Sequence, residues 1–186
     1  MAADAIDAAR DDLGRPVADS ITAHTPLIGA AGYAAFRNRQ AALADETGLP
    51  PATIDHLLGR HGDRIGEILD IVADRPELAR PLAPGHPYLQ AEVLYATRAE
   101  AALHLDDVLT RRTRLSIESW DRATDAAELT AELMAEELGW DDERQKDEVW
   151  HYRARVEAER DSQGQADDQT ADAARLGAPD VRRGAH

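Results

Sequence analysis

Tyr88-Leu89-Gln90-Ala91-Glu92-Val93-Leu94-Tyr95-Ala96-Thr97-Arg98-Ala99-Glu100-Ala101-Ala102-Leu103 decides the fold. Leu89, Val93 and Ala96 recur at helical spacing on one side, and Tyr88, Ala91, Tyr95 and Ala99 on another, so two faces are apolar at once. A helix apolar on two faces belongs at the buried centre of a bundle and needs other helices around it. Downstream, Asp106 to Thr113 reads as a short helix. Ala126 to Leu138 turns Leu129, Leu133, Met134 and Leu138 inward and stops at Gly139. Asp142 with Gln145 three residues on resembles a capping box, and Val149, Tyr152 and Val156 follow at helical spacing.

Upstream, Pro76, Pro81, Pro84, Gly85 and Pro87 form an irregular connector and an internal boundary. Before it, Asp63 opens a helix with Ile65, Ile68, Leu69 and Val72 at i, i+3, i+4 and i+7. Thr53 caps a helix carrying Ile54, Leu57 and Leu58, which Gly62 breaks. Tyr33, Phe36, Ala42 and Leu43 mark a further helix running to Gly48, with Pro50 and Pro51 beyond it. At the N-terminus Ile6, Ala9 and Leu13 form a stripe ended by Gly14 and Pro16. From Ser162 onward the chain has almost no large apolar residue and is expected to be a disordered tail. The expected fold is all-α, a compact bundle of about six to eight short and medium helices. Its expected parts are residues 1–14, a connector with one helix over 15–52, a helical domain over 53–160, and the tail over 161–186.

The formal net charge of −15 works against binding a phosphate backbone, so no nucleic-acid partner is expected. No apolar run reaches the roughly 20 residues that span a bilayer, so direct membrane insertion is not expected. The chain has no cysteine, which excludes disulfides, thiolate metal ligands and cysteine nucleophiles. Met1-Ala2-Ala3-Asp4-Ala5-Ile6 lacks the basic and apolar regions of a signal peptide, and a cytoplasmic location is expected.

Several chemistries have no motif to support them. Gly29 and Gly32 lack the third glycine and the spacing of a dinucleotide fingerprint, and there is no phosphate-binding Gly-x-x-x-x-Gly-Lys loop, Gly-x-Ser-x-Gly elbow or His-Glu-x-x-His. His56 and His61 are five apart, on different faces of a helix, and are poor joint metal ligands. His24 and His104 are lone histidines, and Glu100, four residues before His104, predicts a surface pair. The acidic neighbours Asp106 with Asp107, Glu136 with Glu137, and Asp141 with Asp142 read as solvated faces. The most informative polar group is Arg111, Arg112 and Arg114, with Asp107 four residues before Arg111 and Glu92 and Glu100 on the central helix. It reads as a structural ion-pair network tying the short helix to the central one, with a phosphate site as the lesser alternative.

Four segments, taken in order, resemble the C-terminal domain of FAD-dependent glycerol-3-phosphate dehydrogenases, a domain shared with α-glycerophosphate oxidases. They are His56-Leu57-Leu58-Gly59-Arg60-His61-Gly62; Tyr88-Leu89 with Ala91-Glu92-Val93 and Tyr95-Ala96; Asp107-Val108-Leu109 with Arg111-Arg112-Thr113-Arg114-Leu115; and Glu132-Leu133-Met134 through Glu137-Leu138-Gly139-Trp140-Asp141. The register covers about Met1 to Val156. His61 stands where family members usually carry Tyr, and the acidic extension beyond Glu157 has no counterpart in the family pattern.

Met1 to Ala9 looks like the helix that follows the Gly-Lys-Leu-Thr-Thr-Tyr-Arg stretch closing the family's flavin domain. The resemblance therefore implies a helical cap without the flavin and substrate site, inactive alone. No catalytic, cofactor-binding or metal residue is carried over to it, and FAD belongs to the full-length enzyme. That enzyme would oxidise glycerol 3-phosphate to dihydroxyacetone phosphate at the inner face of the membrane, passing electrons through FAD to a quinone. The implied partner is a flavin domain of the same enzyme, in cis or in trans, and an apolar patch left by its absence would allow a homodimer. The alternative is a stand-alone helical adapter derived from that domain.

Overall fold

The computed structural model describes residues 2–10 and 16–179, and among these it is all-α, with a single isolated antiparallel bridge between Pro81 and Leu89. The chain forms two compact units, Met1–Ile65 and Gly66–His186, so the division falls inside the stretch read from sequence as one domain over 53–160.

In the first unit, α1 spans Ala2–Ala9; Leu13 and Gly14, expected to end it, lie outside the described residues. The single helix expected from Tyr33 to Gly48 is two, α2 (Tyr33–Asn38) and α3 (Gln40–Thr47). They part at Arg39, whose N–H turns back to the Phe36 carbonyl (3.0 Å). No residue of α2 is fully buried, so little burial opposes the break at Arg39. Gly48 ends α3 in the left-handed conformation, as expected. The helix α4 (Pro51–His61) starts three residues earlier than a Thr53 cap requires, because Pro51 sits in its first turn, where the missing N–H costs nothing. Ile54, Leu57 and Leu58 are buried.

Gly62 begins a 3-10 turn through Arg64, and glycine is needed here for two reasons. Its φ is +59°, and a Cβ would lie 2.0 Å from the Gly29 carbonyl oxygen. That contact lets the Asp63 N–H donate to Gly29 (2.8 Å) while the Asp63 carboxylate accepts from the Gly32 N–H (2.9 Å), tying residues 29–32 to the end of α4.

The second unit carries most of α5 (Ile65–Asp74), in which Ile68, Ile71 and Val72 are buried. It continues through a 3-10 turn at Pro76–Ala79 to α6 (Gln90–Ala99). Every residue from Tyr88 to Thr97 is buried, as the two apolar faces predict. Glu92 is among them, and its carboxylate accepts the Leu89 N–H at 2.6 Å, satisfying a donor at the start of the helix.

After α6 come a π-helix (Asp107–Arg112), α7 (Leu115–Glu118), α8 (Ala127–Leu138) and α9 (Asp142–Gln163), of which the π-helix and α8 pack on α6. α8 packs on both α6 and α9. Leu133 and Met134 of α8 are buried, Leu129 and Leu138 half-buried, and Gly139 caps the end in the left-handed conformation. α9 begins one residue earlier than the sequence signal suggested, because Asp141 is the capping residue and accepts the Arg144 N–H.

Where a structureless tail was expected from residue 161, α9 runs on to Gln163 and α10 (Asp168–Leu176) packs against it. Local polar contacts make this possible without a large apolar stripe. Asp167 caps the Thr170 N–H, and Arg175 reaches both Asp172 and the Ser162 hydroxyl. Residues 180–186 lie outside the described residues.

Candidate functional site

Polar chemistry concentrates where the chain leaves α6 and crosses to α9. Ala101 takes φ 54°, redirecting the backbone, and the following strap over 102–106 is fastened from two sides. On one side the Asp107 carboxylate accepts the N–H groups of Leu103 (3.1 Å) and His104 (3.2 Å). Arg111 holds Asp107 at 3.1 Å and also pairs with Asp106. Arg112 donates to the Glu100 carbonyl at 2.6 Å, with the Glu100 carboxylate 3.7 Å away.

The six charged residues singled out in the sequence thus fall in different places. Asp107 with Arg111, and Glu100 with Arg112, meet beside the strap; Glu92 serves the start of its own helix, and Arg114 is exposed with φ 61°.

On the other side stands Glu148, 1% exposed on α9. Its carboxylate accepts the Leu105 N–H (3.2 Å) and the Arg144 guanidinium (2.6 Å), and lies 2.8 Å from His104 Nδ1. His104 therefore pairs with Glu148 rather than with Glu100, because the turn at Ala101 carries it off the helix on which the two would be neighbours. Sequence reasoning passed over Glu148. Its signal was a carboxylate next to Val149 and in line with Tyr152 and Val156 on the inward stripe of α9.

The π-helix beside the strap is closed by Thr113, whose N–H and hydroxyl both donate to the Val108 carbonyl at 2.9 Å. Across it the Tyr152 hydroxyl donates to the Arg122 carbonyl (2.6 Å), and burial pushes its phenol up from the ordinary value. Between α6 and α8, Arg98 grips Glu137 with two hydrogen bonds of 2.8 and 2.6 Å, which hold the Glu137 carboxyl below the usual carboxylate range. The cavity flanking Glu148, His151 and Tyr152 has about 30 Å³, room for a water but not for a metabolite. Among the described residues there is no group of three His, Asp or Glu side chains placed to hold a metal ion, and no helix long and apolar enough to cross a membrane. A larger concavity, an open groove of about 740 Å³, runs between α8 and α9 past Trp150.

Such an arrangement defines a class of protein: a helical domain whose charged side chains fasten its own loops and helix ends. The family model for the C-terminal domain of alpha-glycerophosphate oxidase matches residues 20–145, and the chain belongs to that family. It is 46% identical over 182 residues to glycerol-3-phosphate dehydrogenase 2 of Mycobacterium tuberculosis, and equally to the glycerol-3-phosphate dehydrogenase of Mycobacterium leprae. In each case the match covers 98% of this chain and 31% of the relative. A mitochondrial glycerol-3-phosphate dehydrogenase of Arabidopsis thaliana is 30% identical over 80% of the chain and 26% of its own length. The chain thus spans less than a third of these relatives. No solved structure matches it.

Proposed function

We propose that this chain is the C-terminal cap of an FAD-dependent glycerol-3-phosphate dehydrogenase and works by packing against the flavin domain of that enzyme. In this reading FAD and glycerol 3-phosphate are held by the portion that the relatives carry outside the matched 31%, and the whole assembly oxidises glycerol 3-phosphate to dihydroxyacetone phosphate. The observation that carries the proposal is the 46% identity kept over 98% of the chain. The docking surface we assign lies in the first unit, where Ile21, Leu27 and Ile28 are 71%, 82% and 87% exposed within the matched stretch.

The charged groups around the strap serve structure in the same reading. Arg111 and Arg112 are already engaged by Asp106, Asp107 and Glu100, so a phosphate would have to displace those partners. The parent enzyme's association with a membrane would reside outside the described helices.

Co-expression tests the proposal. The chain is produced with the remainder of the Mycobacterium tuberculosis relative, truncated where the match begins. The expected result is co-purification of the two pieces as a yellow complex that oxidises glycerol 3-phosphate, with neither piece active alone. A well-folded flavin piece that neither retains the chain nor gains activity from it would refute the reading and favour a separate adapter role.

A further inference from the structure

The groove between α8 and α9 lies on a face that the strap and the cap reading leave unused. Its α9 wall carries Lys146, Trp150, Arg153 and Glu157 at i, i+4, i+7 and i+11, so the four form one stripe along a 22-residue helix. Trp150 is 57% exposed, a large aromatic surface to leave in water on an ordered helix. Ala131 of α8 and Val149 of α9 line the groove beside it, while Arg153 is steadied by Glu128 at 3.1 Å.

From this pattern the geometry points to a second copy of this chain as the occupant, with the two α9 helices antiparallel about a two-fold axis level with the His151–Tyr152 peptide. In that register Lys146 comes level with the partner's Glu157, and Trp150 with the partner's Arg153. The axis repeats each pairing, giving two ion pairs and two cation–π contacts. Val149 falls level with the partner's Ala154, placing small apolar groups between the charged levels. Glu143 meets the partner's Arg160 further out. A like-charged level, Asp142 with the partner's Asp161, falls at the open ends, where water screens it. The helix is therefore self-complementary in charge along its exposed stripe.

The place of the stripe in the sequence also separates this surface from the one assigned to the flavin domain. The family match ends at residue 145, and Lys146 to Glu157 follow immediately after it. The surface assigned to the flavin domain, around Ile21, Leu27 and Ile28, belongs to the other compact unit.

Sedimentation velocity on the full chain, at tens of micromolar in low salt, tests the assignment. The wild type is expected to sediment as a dimer of the 20.3 kDa chain. Trp150→Glu should be monomeric with unchanged helical circular dichroism, since the side chain contributes little to its own core. Lys146→Glu should weaken the dimer about tenfold by turning two attractive levels repulsive, and adding Glu157→Lys should restore it. A monomeric wild type would overturn the proposal, as would a dimer unaffected by Trp150→Glu. Failure of the charge swap to rescue Lys146→Glu would overturn the register. None of these outcomes bears on whether a flavin domain binds the other unit.

Discussion

Residues 16–42 and residues 88–97 make opposite use of their apolar side chains. From Tyr88 to Thr97 every residue is buried, whereas between 16 and 42 none is, although that stretch includes Ile21, Leu27, Ile28, Tyr33 and Phe36. The first is the centre of a core that the chain completes by itself. The second is ordered by polar contacts, such as Asp63 reaching Gly32 and Gly29 meeting Gly62, while its apolar surface remains open. The contrast separates a core that this chain closes by itself from an apolar stretch left exposed, which is the surface the proposed flavin-domain contact would cover.

Truncation experiments can break that contrast. Leu94→Ala should cost about 3 kcal/mol in denaturant unfolding, because the side chain is fully buried and the cavity cannot collapse easily. Ile28→Ala should change stability by less than about 0.5 kcal/mol. Comparable losses at the two sites would mean that residues 16–42 are packed after all. Next in size, Glu148→Gln should cost about 2 kcal/mol, since an amide cannot accept from Leu105, Arg144 and His104 together. Faster amide exchange at Leu105 should accompany the loss, and an unchanged rate there would contradict the fastening of the strap.

The Arg98 and Glu137 pair adds a pH dependence. Glu137 titrates below its ordinary 4.5 when folded, so its contribution is complete above that value and is lost as pH falls through the lowered folded value. Arg98 is about half exposed, which limits the pair to about 0.5–1 kcal/mol. Arg98→Ala should therefore lower stability at neutral pH and flatten its decline below pH 4.5. An equal loss at all pH values would assign the effect to packing of the arginine stem instead. The smallest expected effect is a gain. Ala101→Gly should stabilise the strap by about 0.5 kcal/mol by relieving a left-handed backbone at an exposed position. A loss at that site would show that the alanine methyl is itself in use.

Much of the second unit was legible because its signals are local and repeated. The double apolar face of α6, the inward Leu133 and Met134 of α8, Gly139 at its end, and the Val149, Tyr152 and Val156 stripe each follow from helical period or capping chemistry. What escaped depends on partners distant in sequence or on competing local bonds. The Ala101 turn sends His104 to Glu148, forty-four residues away, instead of to Glu100. Thr113 bonding back to Val108 converts an expected α-helical turn into a π-helix, and Asp141 outcompetes Asp142 as a cap by one residue. α10 escaped because its order comes from caps and ion pairs, which hydrophobic periodicity does not register. Of the charged residues singled out, Asp107 with Arg111 and Glu100 with Arg112 lie beside the strap, whereas sequence spacing could not place Glu92 at its own helix start.

In the proposed reading, residues 20–32 form a docking face for a flavin domain. Amide hydrogen exchange of those residues tests it most directly, comparing the chain alone with the chain bound to the remainder of the mycobacterial relative. Exchange is expected to slow at least about tenfold across Ile21 to Ile28 on binding, while the already buried α6 changes little. A complex that forms while leaving residues 20–32 exchanging as before would contradict it.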